Sequence, residues 1–234
     1  MLKAPFAYLT LAALAGALAG APAQALGSRK AAAAEAPAPV VGTGAYTPVN
    51  FDLTQDRENI LVLDLSNGQR VQIRLMPQWA PEHVARVKEL AQKGFYNNVI
   101  FHRVIDGFMA QTGDPTGTGQ GGSELPDLKA EFNPQPHLRG TVSMARAATE
   151  DSANSQFFIV FYPRFSLDKK YTVFGRVIDN MAAVDAVQRG EPPANPTRIV
   201  QASLASENKP APAATTPASA PAITADDLNK PIGQ

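Results

Sequence analysis

The chain has 234 residues, 44% of them apolar and 18% charged, enough for one good-sized core with extensions. Its 21 basic and 21 acidic residues cancel, which excludes a protein held mainly by nucleic-acid phosphates and argues against a polyacidic disordered chain. The absence of cysteine excludes disulfides, zinc-thiolate sites, iron–sulfur clusters and cysteine nucleophiles. His83, His102 and His137 lack metal-ligand spacing, so no metal site is expected.

In chain order, residues 1–25 read as a secretory signal. Lys3 supplies the positive start, no charge follows from Ala4 to Ala25, Leu9–Leu18 is apolar, and Ala23-Gln24-Ala25 is an A-x-A cleavage pattern. A membrane-spanning helix would need roughly 20 apolar residues, and Gly16, Gly20 and Pro22 interrupt the run. Residues 26–50 form an Ala/Pro/Gly-rich linker. Ile60–Leu65 and Val71–Leu75 flank Asn67-Gly68, a signature of a hairpin with a type I′ turn. Pro81 opens an amphipathic helix with Val84, Val87, Leu90 and Ala91 inward and Gly94 as its stop. A shorter helix is predicted from Asn180, with Met181, Val184 and Val187 inward and Gly190 as stop. Val99–Ile105, Gly140–Ala145, Phe157–Phe161, Tyr171–Val177 and Ile199–Leu204 read as strands. This pattern predicts a mainly antiparallel sheet or barrel over residues 51–204, not alternating βαβ units. Residues 205–234, with eight Ala and five Pro, read as a disordered tail.

Gly117-Thr118-Gly119-Gln120-Gly121-Gly122 satisfies G-x-G-x-x-G, but Asp114-Pro115 precedes it and Ser123-Glu124-Leu125-Pro126 follows. Neither flank provides the strand or the helix that a dinucleotide site needs, so it reads as a turn-rich connection. No Ser/His/Asp spacing suggests a hydrolase. The informative stretch is Phe101 to Asp114. If it is extended on both sides of Gly107, Arg103 and Gln111 face one surface beside Phe108 and Met109. An arginine lying over core aromatics is the plainer alternative. In Ser155-Gln156-Phe157-Phe158-Ile159-Val160 the adjacent phenylalanines must point to opposite faces of a strand, leaving at most one for the core. An apolar cup edged by one Arg and two Gln suits a small apolar group attached to a peptide.

At these residues the chain resembles the cyclophilins, a family of peptidyl-prolyl cis–trans isomerases. The resemblance is carried, in family order, by F-H-R-V-I-D-G-F-M-A-Q from Phe101, G-T-V-S-M-A-R-A from Gly140, S-Q-F-F-I-V from Ser155 and Y-T-V-F-G-R-V from Tyr171. It covers roughly Asn59 to Leu204 and is nearer to the bacterial exported branch than to the eukaryotic cytosolic one. It implies a closed eight-stranded antiparallel β-barrel with two capping α-helices. It also implies that Arg103 is catalytic and that Phe108, Met109, Phe158 and Leu167 form a proline pocket. Gln111 would hold the substrate backbone, Ala145, Arg146 and Ala147 would form a backbone-binding segment, and Gln156 and Tyr171 would complete the site. Ser166 stands where cyclosporin-sensitive members carry Trp, Tyr171 where His is frequent and Arg146 where Asn is frequent, which implies reduced sensitivity to that inhibitor. The expected protein is a cofactor-free, exported and periplasmic monomer acting on proline-containing polypeptides. It would not bind nucleic acid or stay in the membrane once its signal is cleaved. A proline-binding chaperone or scaffold with little catalysis is the alternative, and a sugar-binding barrel has only lone Trp79 in its favour.

Overall fold

The computed structural model describes residues 52–213; the predicted signal and linker, and residues 214–234 of the tail, lie outside them. The first two strands, β1 (Ile60–Leu65) and β2 (Arg70–Leu75), pair as an antiparallel hairpin from Ile60↔Arg74 to Asp64↔Arg70. Val71, Ile73 and Leu75 are fully buried, as their alternation predicts. The turn differs from type I′, which needs positive φ at two residues. Here only Gly68 has it (+78°), while Gln69 N–H donates to Asn67 Oδ1 and Leu65 N–H to Gln69 O. The extra residue makes a three-residue loop closed by a glycine in the left-handed region.

Helix α1 (Pro81–Gln92) starts with proline in its first turn and buries Val84, Val87, Leu90 and Ala91. Ala80, at the N-cap, has only a methyl group and makes no side-chain capping hydrogen bond. The Glu131 carboxylate does so from afar, accepting the N–H groups of Glu82 (3.2 Å) and His83 (3.1 Å). An acidic group there also complements the positive end of the helix dipole. Six further strands follow: β3 (Arg103–Ile105), β4 (Met109–Thr112), β5 (Thr141–Met144), β6 (Phe157–Val160), β7 (Val173–Asp179) and β8 (Ile199–Leu204). Helix α2 (Met181–Asp185) lies between the last two, and the Asn180 side chain accepts from Ala183 N–H at its start. It is shorter than predicted, although Val187 beyond its end is still buried.

The strands form one wholly antiparallel sheet in the order β3-β4-β6-β5-β7-β2-β1-β8. Its inner face carries Leu61, Leu63, Ile73, Leu75, Phe157, Ile159 and Phe174, and both helices add their apolar faces to this core. The end strands β3 and β8 share no ladder. One isolated bridge, Ile100↔Arg198, joins the residues just ahead of each, and another ties Val104 of β3 to Gly190 in the connection between α2 and β8. After β8, Arg57 donates to Ala205 O, Arg70 to Lys209 O and Gln201 to Pro210 O, so the chain stays tied to the sheet beyond Leu204.

Candidate active site

A second apolar cluster lies on the other face of the sheet. Met109, Phe158 and Val160 form its buried centre, with Ile105, Phe108, Ala145, Leu167 and Tyr171 around them. The adjacent phenylalanines of β6 divide as strand geometry requires: Phe157 enters the inner core and Phe158 the outer cluster. Gly107, at φ +65°, turns the chain between β3 and β4, a conformation open to glycine without a Cβ penalty. The resulting register sets Arg103 directly opposite Gln111, and Gln111 opposite Phe158 on the next strand. A guanidinium, an amide and an aromatic ring thus stand in one row across three strands.

These groups open onto two adjoining cavities. One, of about 120 Å³, is lined by Arg103, Phe108, Met109, Gln111, Ala145, Arg146, Phe158, Leu167 and Tyr171. The other, of about 550 Å³, shares Gln111, Ala145 and Arg146 and adds Ala147 and Gln156, with polar walls that include Gly121 and Asn154. Every site residue predicted from sequence lines at least one of them. The first has an apolar floor and a polar rim; the second is mostly backbone, amide and hydroxyl.

Hydrogen bonds set the polar rim. Gln111 Nε2 donates to Gln156 Oε1 (2.8 Å), and Gln156 Nε2 donates to the carbonyls of Gly119 (3.1 Å) and Gly121 (2.7 Å). The glycine-rich loop is itself held by Asp114, whose buried carboxylate accepts the N–H groups of Thr116, Gly119 and Gly121. The protein's own carboxylate therefore occupies the donors that a phosphate would need. Burial alone would raise the Asp114 pKa, but the hydrogen bonds from Thr116, Gly121 and Gly119 outweigh it and hold the group below the ordinary carboxylate value.

Aromatic and cationic groups frame the smaller cavity. Tyr171 meets Phe158 edge-on with centroids 5.5 Å apart, and the Arg146 guanidinium lies 4.9 Å from the Tyr171 centroid. Two departures from the family pattern thus pack on each other. The Arg164 guanidinium lies 5.0 Å from the ring of Phe108, another wall of that cavity. Behind the pocket, Ser143 Oγ is 2.9 Å from His137 Nε2, and His137 Nδ1 is 2.8 Å from Asp168 Oδ1. No sequence spacing announced this Ser/His/Asp line. Its serine and histidine are fully buried and line neither cavity, so it forms a closed polar network that ties the Leu167–Asp168 turn to β5. Burial holds His137 below the ordinary imidazole value, although Asp168 pulls it upward. The imidazole also stacks beneath Phe158, with centroids 6.2 Å apart.

Sequence reasoning missed one first-rank contact. Arg103 Nε donates to Glu191 Oε2 at 2.7 Å across 88 positions of chain. No motif contains Glu191, and only the fold brings it to β3. Among the described residues, the terminal N–H groups of Arg103 have no protein acceptor. The guanidinium therefore edges an apolar socket with one side held and two terminal donor nitrogens available. This arrangement can grip a small ring and donate hydrogen bonds beside it.

Comparison with known proteins agrees with this geometry. Residues 60–204 match the family described as cyclophilin type peptidyl-prolyl cis-trans isomerase. A probable peptidyl-prolyl cis-trans isomerase of Brucella suis is 45% identical over 170 residues, covering 66% of this chain and 86% of that protein. Peptidyl-prolyl cis-trans isomerase B of Bacillus subtilis is 41% identical over 128 residues, covering 54% and 89%. Among solved structures, the cyclophilin AquaCyp293 from Hirschia baltica superposes with a TM-score of 0.61 at 26% identity, covering 70% of this chain and 84% of that one. A Cryptosporidium parvum cyclophilin type isomerase, crystallised in the presence of the dipeptide Ala-Pro, gives 0.58 at 28% identity over 62% of this chain and 98% of that one. Sequence blocks, sheet and outer-face socket converge on one assignment: the chain belongs to the cyclophilin family and is a cyclophilin-type peptidyl-prolyl cis–trans isomerase.

Proposed function

We propose that the protein accelerates rotation about X–Pro bonds in exported polypeptides, with Arg103 as its catalytic residue. The observation that carries the site assignment is the placement of Arg103, with free terminal donors, on the rim of the socket floored by Met109 and Phe158. An X–Pro bond resists rotation because the nitrogen lone pair is shared with the carbonyl, giving a barrier of about 18–20 kcal/mol. Twisting localises that pair on nitrogen. A guanidinium N–H beside the prolyl nitrogen then donates a stronger hydrogen bond to the twisted state than to the planar one, which is differential stabilisation of the transition state. Phe108, Met109, Phe158 and Leu167 hold the ring. Gln111 and the Ala145–Ala147 segment hold the backbone while the acyl side turns. None of these roles needs a nucleophile.

The larger cavity alongside gives room for residues adjoining the proline, which fits a polypeptide substrate better than an isolated dipeptide. Cellular placement rests on the charge-free stretch after Lys3 and the Ala23-Gln24-Ala25 pattern. We assign the protein to the bacterial exported branch, acting in the periplasm as a monomer, where slow prolyl isomerisation limits the folding of secreted chains. Residues 26–234, assayed on an X–Pro peptide and on a refolding protein with a native cis proline, should accelerate both. Tight peptide binding without acceleration would favour the scaffold reading. N-terminal sequencing of the exported protein should find Leu26 first; recovery of residues 1–25 on it would contradict export by a cleaved signal.

A further inference from the structure

We infer that Glu191 is a positioning residue for catalysis, acting through Arg103; the inference rests on the assignment of Arg103 above. Glu191 is brought to this place by backbone. Val104 N–H donates to Gly190 O (2.8 Å) and Gly190 N–H to Val104 O (2.9 Å), a two-bond antiparallel bridge. One step along each chain from that bridge, Arg103 and Glu191 are neighbours, and their side chains join at 2.7 Å. The approach depends on Gly190, which has φ +143°; a Cβ there would lie 2.6 Å from Pro193 Cα, where the chain folds back on itself. A glycine followed by a carboxylate, pinned to β3, therefore delivers an acceptor to one specific nitrogen.

Which nitrogen is engaged matters. Arg103 has a long side chain on a short strand beside an open cavity, and its side chain is 41% exposed. Left alone, its guanidinium would sample several rotamers. Glu191 accepts from Nε–H and leaves both terminal nitrogens uncommitted, so the pair fixes the plane of the fork without consuming the terminal donors of a residue that lines the socket. Had the carboxylate taken a terminal nitrogen, it would compete with substrate. The ion pair is exposed at both ends and contributes little to folding. Its consequence is orientation of the donor in the transition state.

The test uses wild type, Glu191→Ala, Glu191→Gln, Arg103→Ala and the Arg103→Ala/Glu191→Ala double variant, with kcat and KM measured on one X–Pro peptide by exchange NMR. Glu191→Ala should lower kcat roughly three- to fivefold with KM within about twofold, the upper part of the range expected for losing an exposed ion-pair contact. Glu191→Gln keeps an oxygen acceptor for Nε–H and should restore kcat to within about twofold. In the Arg103→Ala background, Glu191→Ala should have no further effect. Unchanged or increased kcat in Glu191→Ala, or the same fold loss in both backgrounds, would overturn the positioning role. Undiminished turnover by Arg103→Ala would instead refute the catalytic assignment beneath it.

Discussion

Phe157 and Phe158 show how one bond in the chain separates stability from function. Phe157 is sealed in the inner core, edge-on to Tyr96 and Phe174. Phe158 walls the outer socket, stacked on His137 and edge-on to Tyr171. Phe157→Ala should destabilise the fold by about 3–5 kcal/mol, the usual cost of emptying a packed aromatic site. Phe158→Ala should destabilise it less but weaken X–Pro peptide binding at least about tenfold, because the ring loses its main apolar contact. Denaturant melts beside peptide titrations check both; equal stability losses with unchanged peptide affinity would place Phe158 in the core and not the site. This division was legible in the sequence, since two adjacent large side chains on a strand cannot share a face. The Arg103–Glu191 pair was not, because nothing near Gly190 advertises a partner 88 positions upstream.

At the scale of elements, the sheet supplies a rigid row and the loops supply its rim. The strands and helices were largely readable from alternation and helical spacing, because burial on one face leaves a period in the sequence. Around Gly107 the sequence supported only a conditional extended segment with Arg103 and Gln111 on one surface; the pairing of β3 with β4 emerged in the fold. Contacts from loop side chains to distant backbone leave no period, and so the Glu131 cap on α1 and the Ser143–His137–Asp168 line were invisible. Asp114 stands between these cases: a carboxylate just ahead of a glycine-rich run is a turn signal, but its three N–H partners emerge only in the fold. Asp114→Asn would set an amide donor against the N–H groups of Gly119 and Gly121. It should cost about 1–3 kcal/mol and speed amide hydrogen exchange at both glycines. Because Gln156 bonds to the same loop, peptide KM should rise too. Unaltered exchange protection would show that the loop holds its shape without that carboxylate.

For the whole molecule, the buried histidines and the hydrogen-bonded carboxylates of Asp114 and Asp168 act in one direction, each losing stability as the pH falls. His83, His102 and His137 are all held below the imidazole reference of 6.5, in each case chiefly by burial. The unfolded chain therefore binds more protons as the pH falls through that value, and stability must fall with it. Asp114 and Asp168 are held below the carboxylate reference of 3.8, because hydrogen bonds outweigh the opposing effect of burial. Their contribution is present above that value and is lost at still lower pH. The midpoint of urea unfolding should accordingly stay level between about pH 7.5 and 9, decline through about pH 6.5 to 5, and decline again below about pH 4. A midpoint unchanged from pH 7.5 to 5 would contradict the burial of neutral histidines.

All of these scales meet at the guanidinium beside the socket. Arg103→Ala leaves the inner core and both helices untouched, so its thermal melt should match that of the wild type. Its kcat/KM on an X–Pro peptide should fall about 10²–10³-fold, the usual loss when one preorganised transition-state donor is removed. A folded Arg103→Ala protein that turns the peptide over at the wild-type rate would contradict the account.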